Sequence, residues 1–147
     1  GASFGGATAA LALGHENTDE KVDFLVLDCP VSNMEWMVEQ EMSGMEVGLP
    51  ISYMAWCGNI INKLKLGFTY SDADAANAVK DVTTPVLIIN SEADSTTPGF
   101  MGKDIYEALS GNNKEIWTVD GSEHCEIWID HHQEYCDRLE SFMERFG

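Results

Sequence analysis

Ser3 stands in the run GASFGG, between small residues and just ahead of an alanine-rich stretch. A G-x-S-x-G spacing is what a nucleophilic serine on a sharp strand-to-helix turn needs, because tiny neighbours relieve the crowding of the strained bend. A helix that starts at the serine also turns unpaired N–H groups and the positive end of its dipole toward any anion formed there. The backbone N–H of Phe4, next after the serine, is then a candidate oxyanion-hole donor. Alone, the pattern also suits a serine that merely caps a helix. What raises it is the pair of groups that follows, Asp94 in NSEAD and His124 in VDGSEH. A hydroxyl to attack, an imidazole to take its proton and a carboxylate to orient the imidazole are the parts of acyl transfer through a covalent serine intermediate. That chemistry calls for no cofactor and no metal ion.

Three such residues must be presented together, and the surrounding segments are of the kind that does so. FGGATAALAL (4–13) reads as a short helix ending at Gly14, a residue that readily turns left-handed past a helix end. Residues 22–29, VDFLVLDC, form a mostly apolar run expected of a strand buried on both faces, stopped by Pro30. TPVLIIN (84–90) repeats that signature with a proline at the entrance, and KEIWTVD (114–120) alternates more, as a strand nearer an edge does. Residues 99–109 read as a helix with Met101, Ile105 and Leu109 four apart; residues 131–146 place Tyr135, Leu139, Phe142 and Phe146 on one stripe of a final helix. Alternating strands and helices predict an α/β fold of three layers around a mainly parallel sheet. Residues 31–80 depart from that rhythm and read as a helical insertion, rich in Met34, Trp36, Met37, Met42, Met45, Tyr53, Met54 and Trp56. Asp94 and His124 follow the second and third strands, so both fall in loops at the carboxyl edge of the sheet, where such folds gather their ligand groups.

Other residues compete for these roles. Glu92 precedes Asp94 in the same loop and reads as a solvated carboxylate, while His131 and His132 begin the last helix and read as surface residues. Adjacent histidines on a helix do not face one ligand, so no metal site is expected from them, and His15 suits a helix end. Cys29, Cys57, Cys125 and Cys136 have no C-x-x-C spacing and fall in a strand, the insertion, a loop and a helix, so they are expected to be reduced, in keeping with a cytoplasmic setting. The 25 acidic against 8 basic residues give a net charge of −17, which works against nucleic acid and anionic membranes as partners. No apolar run is long enough for a membrane helix. With 147 residues, 44% of them hydrophobic, the chain is long enough for one domain with a core of its own.

Taken together, the order Ser3, Asp94, His124 on three loops resembles that of α/β-hydrolases. The sequence is similar to the C-terminal half of bacterial α/β-hydrolases of the serine-aminopeptidase-like and esterase-like branch. The resemblance is carried by GASFGG, by PVLIINSEAD with Pro98 four residues after Asp94, and by Gly121, His124 and Glu126 in a G-x-x-H-x-E ending; YSDADAANAVKDVTTPVLIIN and EYCDRLESFMERF are also typical. It implies a partial α/β-hydrolase fold with residues 31–80 as a helical cap, Ser3 as nucleophile, Asp94 as acid and His124 as base. The expected substrate is a small carboxylic ester, or a small amide or peptide; the rival is a noncatalytic module that binds a ligand or partner through the cap. Proteins of this kind are about twice as long, with strands ahead of the elbow and a second oxyanion donor from an early loop. The chain is therefore expected to be a piece of a longer hydrolase, weakly active alone and prone to pair its open edge as a homodimer.

Overall fold

The computed structural model describes residues 1–15, 21–45 and 48–147; of the insertion expected over 31–80, residues 46 and 47 lie outside that set. In chain order the elements are α1 (Phe4–Leu13), β1 (Leu25–Asp28), α2 (Met34–Ser43), α3 (Ile51–Leu66), a 3₁₀ turn (Tyr70–Asp72), α4 (Ala75–Ala78), β2 (Val86–Ser91), α5 (Phe100–Ala108), β3 (Lys114–Val119), α6 (Ile127–Asp130) and α7 (His132–Phe146). They fall into two compact units: Gly1–Ser32 with Ala75–Gly147, and Asn33–Asp74.

The larger unit is built on a parallel sheet in the order β1-β2-β3. Leu25–Asp28 runs opposite Val86–Ile89, and Val86–Ser91 opposite Lys114–Val119. Every residue of β2 is buried, as a central strand covered on both faces requires. Its side chains divide by parity. Leu87 and Ile89 join Cys29, Trp117, Val119, Ile127 and Phe142 in a core under α6 and α7, with Tyr135, Leu139 and Phe146 packed against it. Ile88 and Asn90 face α5, so closely that a Cβ on Gly102 would stand 2.1 Å from Asn90 Oδ1 and 3.1 Å from Ile88. Helices on both faces of a parallel sheet give the expected three layers.

Some boundaries differ from the sequence reading, for local reasons. The first strand spans 25–28 rather than 22–29, because its partner begins at Val86 and Pro85 has no N–H to extend the ladder; the Pro85 carbonyl still accepts from Leu25 N–H at 2.9 Å. The last helix is preceded by the single turn α6 and broken at His131, which has φ −122° and ψ 35°. Gly14 is right-handed (φ −73°), not left-handed. Glycine is needed there because a Cβ would lie 2.1 Å from the Ala78 carbonyl oxygen, where α1 meets α4.

The smaller unit starts α2 with Asn33, whose side chain accepts from Trp36 N–H (3.0 Å), and ends α3 at the left-handed Gly67 (φ 84°). A capping box between Thr69 and Asp72 closes the 3₁₀ turn. Of the methionines and aromatics read as its packing, Met37 is buried, whereas Met45, Tyr53 and Trp56 are exposed, with Tyr53 and Trp56 stacked at 6.0 Å. Among the described residues no helix is long and apolar enough to cross a membrane.

Gly102→Ala is expected to destabilise the protein by about 1–3 kcal/mol through overpacking against Asn90. Adding Asn90→Ala should recover part of the loss. Thermal unfolding followed by circular dichroism reads both; an unchanged Tm for the single variant would contradict the close approach of α5 to β2.

Candidate active site

Ser3 is placed by backbone hydrogen bonds. Its N–H donates to the Asp28 carbonyl (2.9 Å), and Asp28 N–H donates to the Gly1 carbonyl (2.9 Å), so the segment ahead of α1 is pinned beside the end of β1. The chain must then turn at once into the helix, and Ser3 takes φ 52° and ψ −128°. That left-handed backbone costs a non-glycine residue about 1–3 kcal/mol. The hydroxyl makes no capping bond to α1; it lies 2.9 Å from Nε2 of His124. A Cβ on Gly1 would come within 2.5 Å of the Gly5 carbonyl, whereas Gly5 has nothing within 4 Å of its own Cβ position. The crowding expected at both flanks therefore acts at Gly1, and Gly5 takes part through its carbonyl. Phe4 N–H, at the head of α1, makes no backbone hydrogen bond among the described residues.

Asp94 is carried by the loop after β2, with its side chain fully buried. Its Oδ1 accepts from Thr96 N–H (2.9 Å) and Thr97 N–H (2.8 Å). Its Oδ2 lies 2.8 Å from both the Thr97 hydroxyl and Nδ1 of His124. Burial pushes the pKa of this carboxyl up, but the bonds from His124, Thr97 and Thr96 together outweigh it and hold the group below the usual carboxylate range. A carboxylate can only accept, so the imidazole proton belongs on Nδ1, which leaves the Nε2 lone pair for the Ser3 hydroxyl. His124 sits in the loop after β3 with 24% of its side chain exposed.

The structure thus joins Ser3, His124 and Asp94 in one hydrogen-bonded chain. Their competitors lie apart from it: Glu92, His15 and His132 are exposed, and His131 packs edge-on against Trp117. Further contacts surround this chain of hydrogen bonds. The Thr97 hydroxyl also lies 3.1 Å from the Cys29 carbonyl and 3.0 Å from His124 Nδ1, so it ties the end of β1 to Asp94 and His124. Its signal was there in DSTT, since an aspartate followed by threonines favours a turn closed on its own side chain. Tyr135 of α7 donates to Asp28 Oδ2 (2.9 Å), and burial, then the Asp28 charge, pushes its phenol pKa up. Cys29 and Cys125, both left-handed (φ 44° and 58°), border His124, and burial pushes both thiols up.

Solved structures share this architecture. An esterase of Pyrococcus furiosus matches with a TM-score of 0.69 and 19% identity over 100% of this chain and 52% of its own. A thermophilic esterase of the planctomycete Thermogutta terrifontis, solved with butyrate bound, gives 0.69 and 18% over 100% and 55%. An α/β-hydrolase from the sediment metagenome of the Mar Chica lagoon gives 0.63 and 22% over 99% and 60%. The fold is that of an α/β-hydrolase, and the chain spans about half the length of the first of these structures. No curated protein matches the sequence. The model of the prolyl oligopeptidase family matches residues 1–146, and the chain belongs to that family.

The lowered Asp94 pKa has a stability consequence with a definite sign. A carboxyl held below its unfolded value of about 3.9 contributes stability that is full above that pH and is lost as the pH falls through the folded value. Asp94→Asn is therefore expected to flatten the acid limb of Tm against pH below about pH 4. An identical acid limb in the variant would contradict the network around Asp94.

Proposed function

We propose that this chain carries the catalytic triad of a serine hydrolase that cleaves a small carboxylic ester through an acyl-enzyme on Ser3. The observation that carries the reading is the continuous chain Ser3 Oγ, His124 Nε2, His124 Nδ1, Asp94 Oδ2, with links of 2.9 and 2.8 Å. His124 takes the Ser3 proton as Oγ attacks the carbonyl carbon, and Asp94 stabilises the imidazolium so formed. The tetrahedral oxyanion is met by Phe4 N–H at the positive end of α1. Collapse expels the alcohol, which takes the proton from His124. Water then attacks the acyl-enzyme with His124 again as base, and the acid product leaves. No step calls for a metal or cofactor.

The esterase neighbours support an ester; the family supports a small peptide or amide as the second reading, since the same triad and oxyanion donor serve both.

Turnover of p-nitrophenyl esters of graded chain length, alongside aminoacyl p-nitroanilides, tests the proposal. Ser3→Ala and His124→Ala should each lower kcat by on the order of 10⁶-fold, with the double variant little worse, because the residues act as a unit. Asp94→Asn should lose on the order of 10⁴-fold with the fold intact. Unchanged turnover in Ser3→Ala would overturn the serine mechanism.

A further inference from the structure

A second set of chemically matched side chains meets at His124. Cys29 ends the β1 ladder, with its N–H on the Ile89 carbonyl at 2.8 Å, and Cys125 follows His124 in the loop after β3. The ligand atoms of Cys29, His124 and Cys125 all lie within 4.8 Å of one another, and Cys125 Sγ is 3.5 Å from His124 Nε2. A tetrahedral site with metal–sulfur bonds of about 2.3 Å and metal–nitrogen bonds of about 2.0 Å puts sulfur and nitrogen roughly 3.5 Å apart and two sulfurs roughly 3.8 Å apart. The edge from Cys125 to His124 already has that length; the sulfur–sulfur edge needs a contraction of at most about 1.0 Å and the edge from Cys29 to His124 at most about 1.3 Å. Two thiolate sulfurs with one imidazole suit borderline-soft divalent ions rather than calcium or magnesium. The Asp28 and Asp94 carboxylates lie close enough to act on both cysteines, which adds attraction for a cation. His124 and Cys125 are partly exposed and offer the ion a way in.

We propose that Cys29, Cys125 and His124 form an inhibitory site for a zinc-type divalent cation. On binding, the two thiols release two protons to solvent and form two sulfur–metal bonds, His124 Nε2 gives its lone pair, and a water keeps the fourth position; nothing is oxidised or reduced. The same Nε2 faces the Ser3 hydroxyl, so a metal held there takes the lone pair that would accept the serine proton. Hydrolysis stops until the ion is removed. The inhibitory part rests on the proposed role of His124 as base; the binding part rests on the geometry alone.

Anaerobic titration of the protein with Co²⁺ separates the two. One Co²⁺ per chain should give the intense visible bands of a tetrahedral site with thiolate-to-cobalt charge transfer, and Zn²⁺ should displace it. Cys125→Ser, at a partly exposed position, should weaken the site by on the order of 100-fold and lose much of the charge-transfer band. Cys136→Ser should change neither; Cys136 Sγ lies 3.9 Å from His132 Nε2, a cysteine–histidine pair that could also take up cobalt. A spectrum unaltered by Cys125→Ser, or abolished by Cys136→Ser, overturns the site. In the activity arm, Zn²⁺ should suppress Ser3-dependent ester turnover in the parent, reversibly with a chelator. Turnover that persists with the site filled overturns the inhibitory role. Absence of turnover before any metal is added bears on the hydrolase reading and not on the metal site, which the cobalt spectrum still decides.

Discussion

The hydrogen bond from Ser3 N–H to the Asp28 carbonyl is the constraint on which the rest of the site depends. It fixes the start of α1 against the end of β1 and leaves the chain too little length to enter the helix by an ordinary path. Ser3 therefore takes its positive φ, and its hydroxyl is directed to His124 instead of folding back to cap the helix. The cost of that backbone is met by the cooperative packing of the sheet. The core residues Leu87, Ile89, Trp117, Val119 and Phe142 hold β2 and β3 in register, so the loops carrying Asp94 and His124 leave the sheet at the same edge as Ser3.

The second level of organisation is the satisfaction of a buried charge. Asp94 has no solvent to stabilise it, and a buried carboxylate without partners would take up a proton. Two backbone N–H groups, a hydroxyl and an imidazole replace the lost water, and the imidazole is oriented as a consequence. Thr97 links this network to the Cys29 carbonyl, so a shift at the end of β1 would reach Asp94 and Ser3 together.

Much of this was legible from residue type and order. The apolar runs located the strands because a buried parallel strand has to be apolar on both faces, and DSTT and GSEH followed two of them directly. The stripe on α7 was readable because helical periodicity survives without tertiary information. What stayed hidden depends on contacts between distant segments. Gly14 looks in sequence like a helix terminator, but its need for glycine comes from Ala78, 64 residues later. The sharing of Tyr135 with Asp28 and the approach of Cys29 to His124 have no local pattern, because each joins separate elements. The left-handed backbones of Cys29 and Cys125 were equally invisible, since no residue there is of the type that favours φ > 0.

The proposed chemistry requires Ser3 to be a nucleophile activated by His124. Labelling with a fluorophosphonate, followed by peptide mapping in a mass spectrometer, tests it most directly, because the reagent needs only the attacking oxygen and its base. One phosphonyl adduct per chain is expected, on the peptide that contains Ser3, formed far more slowly in His124→Ala and absent in Ser3→Ala. An adduct of equal extent in Ser3→Ala, or one carried by a different residue, would contradict it.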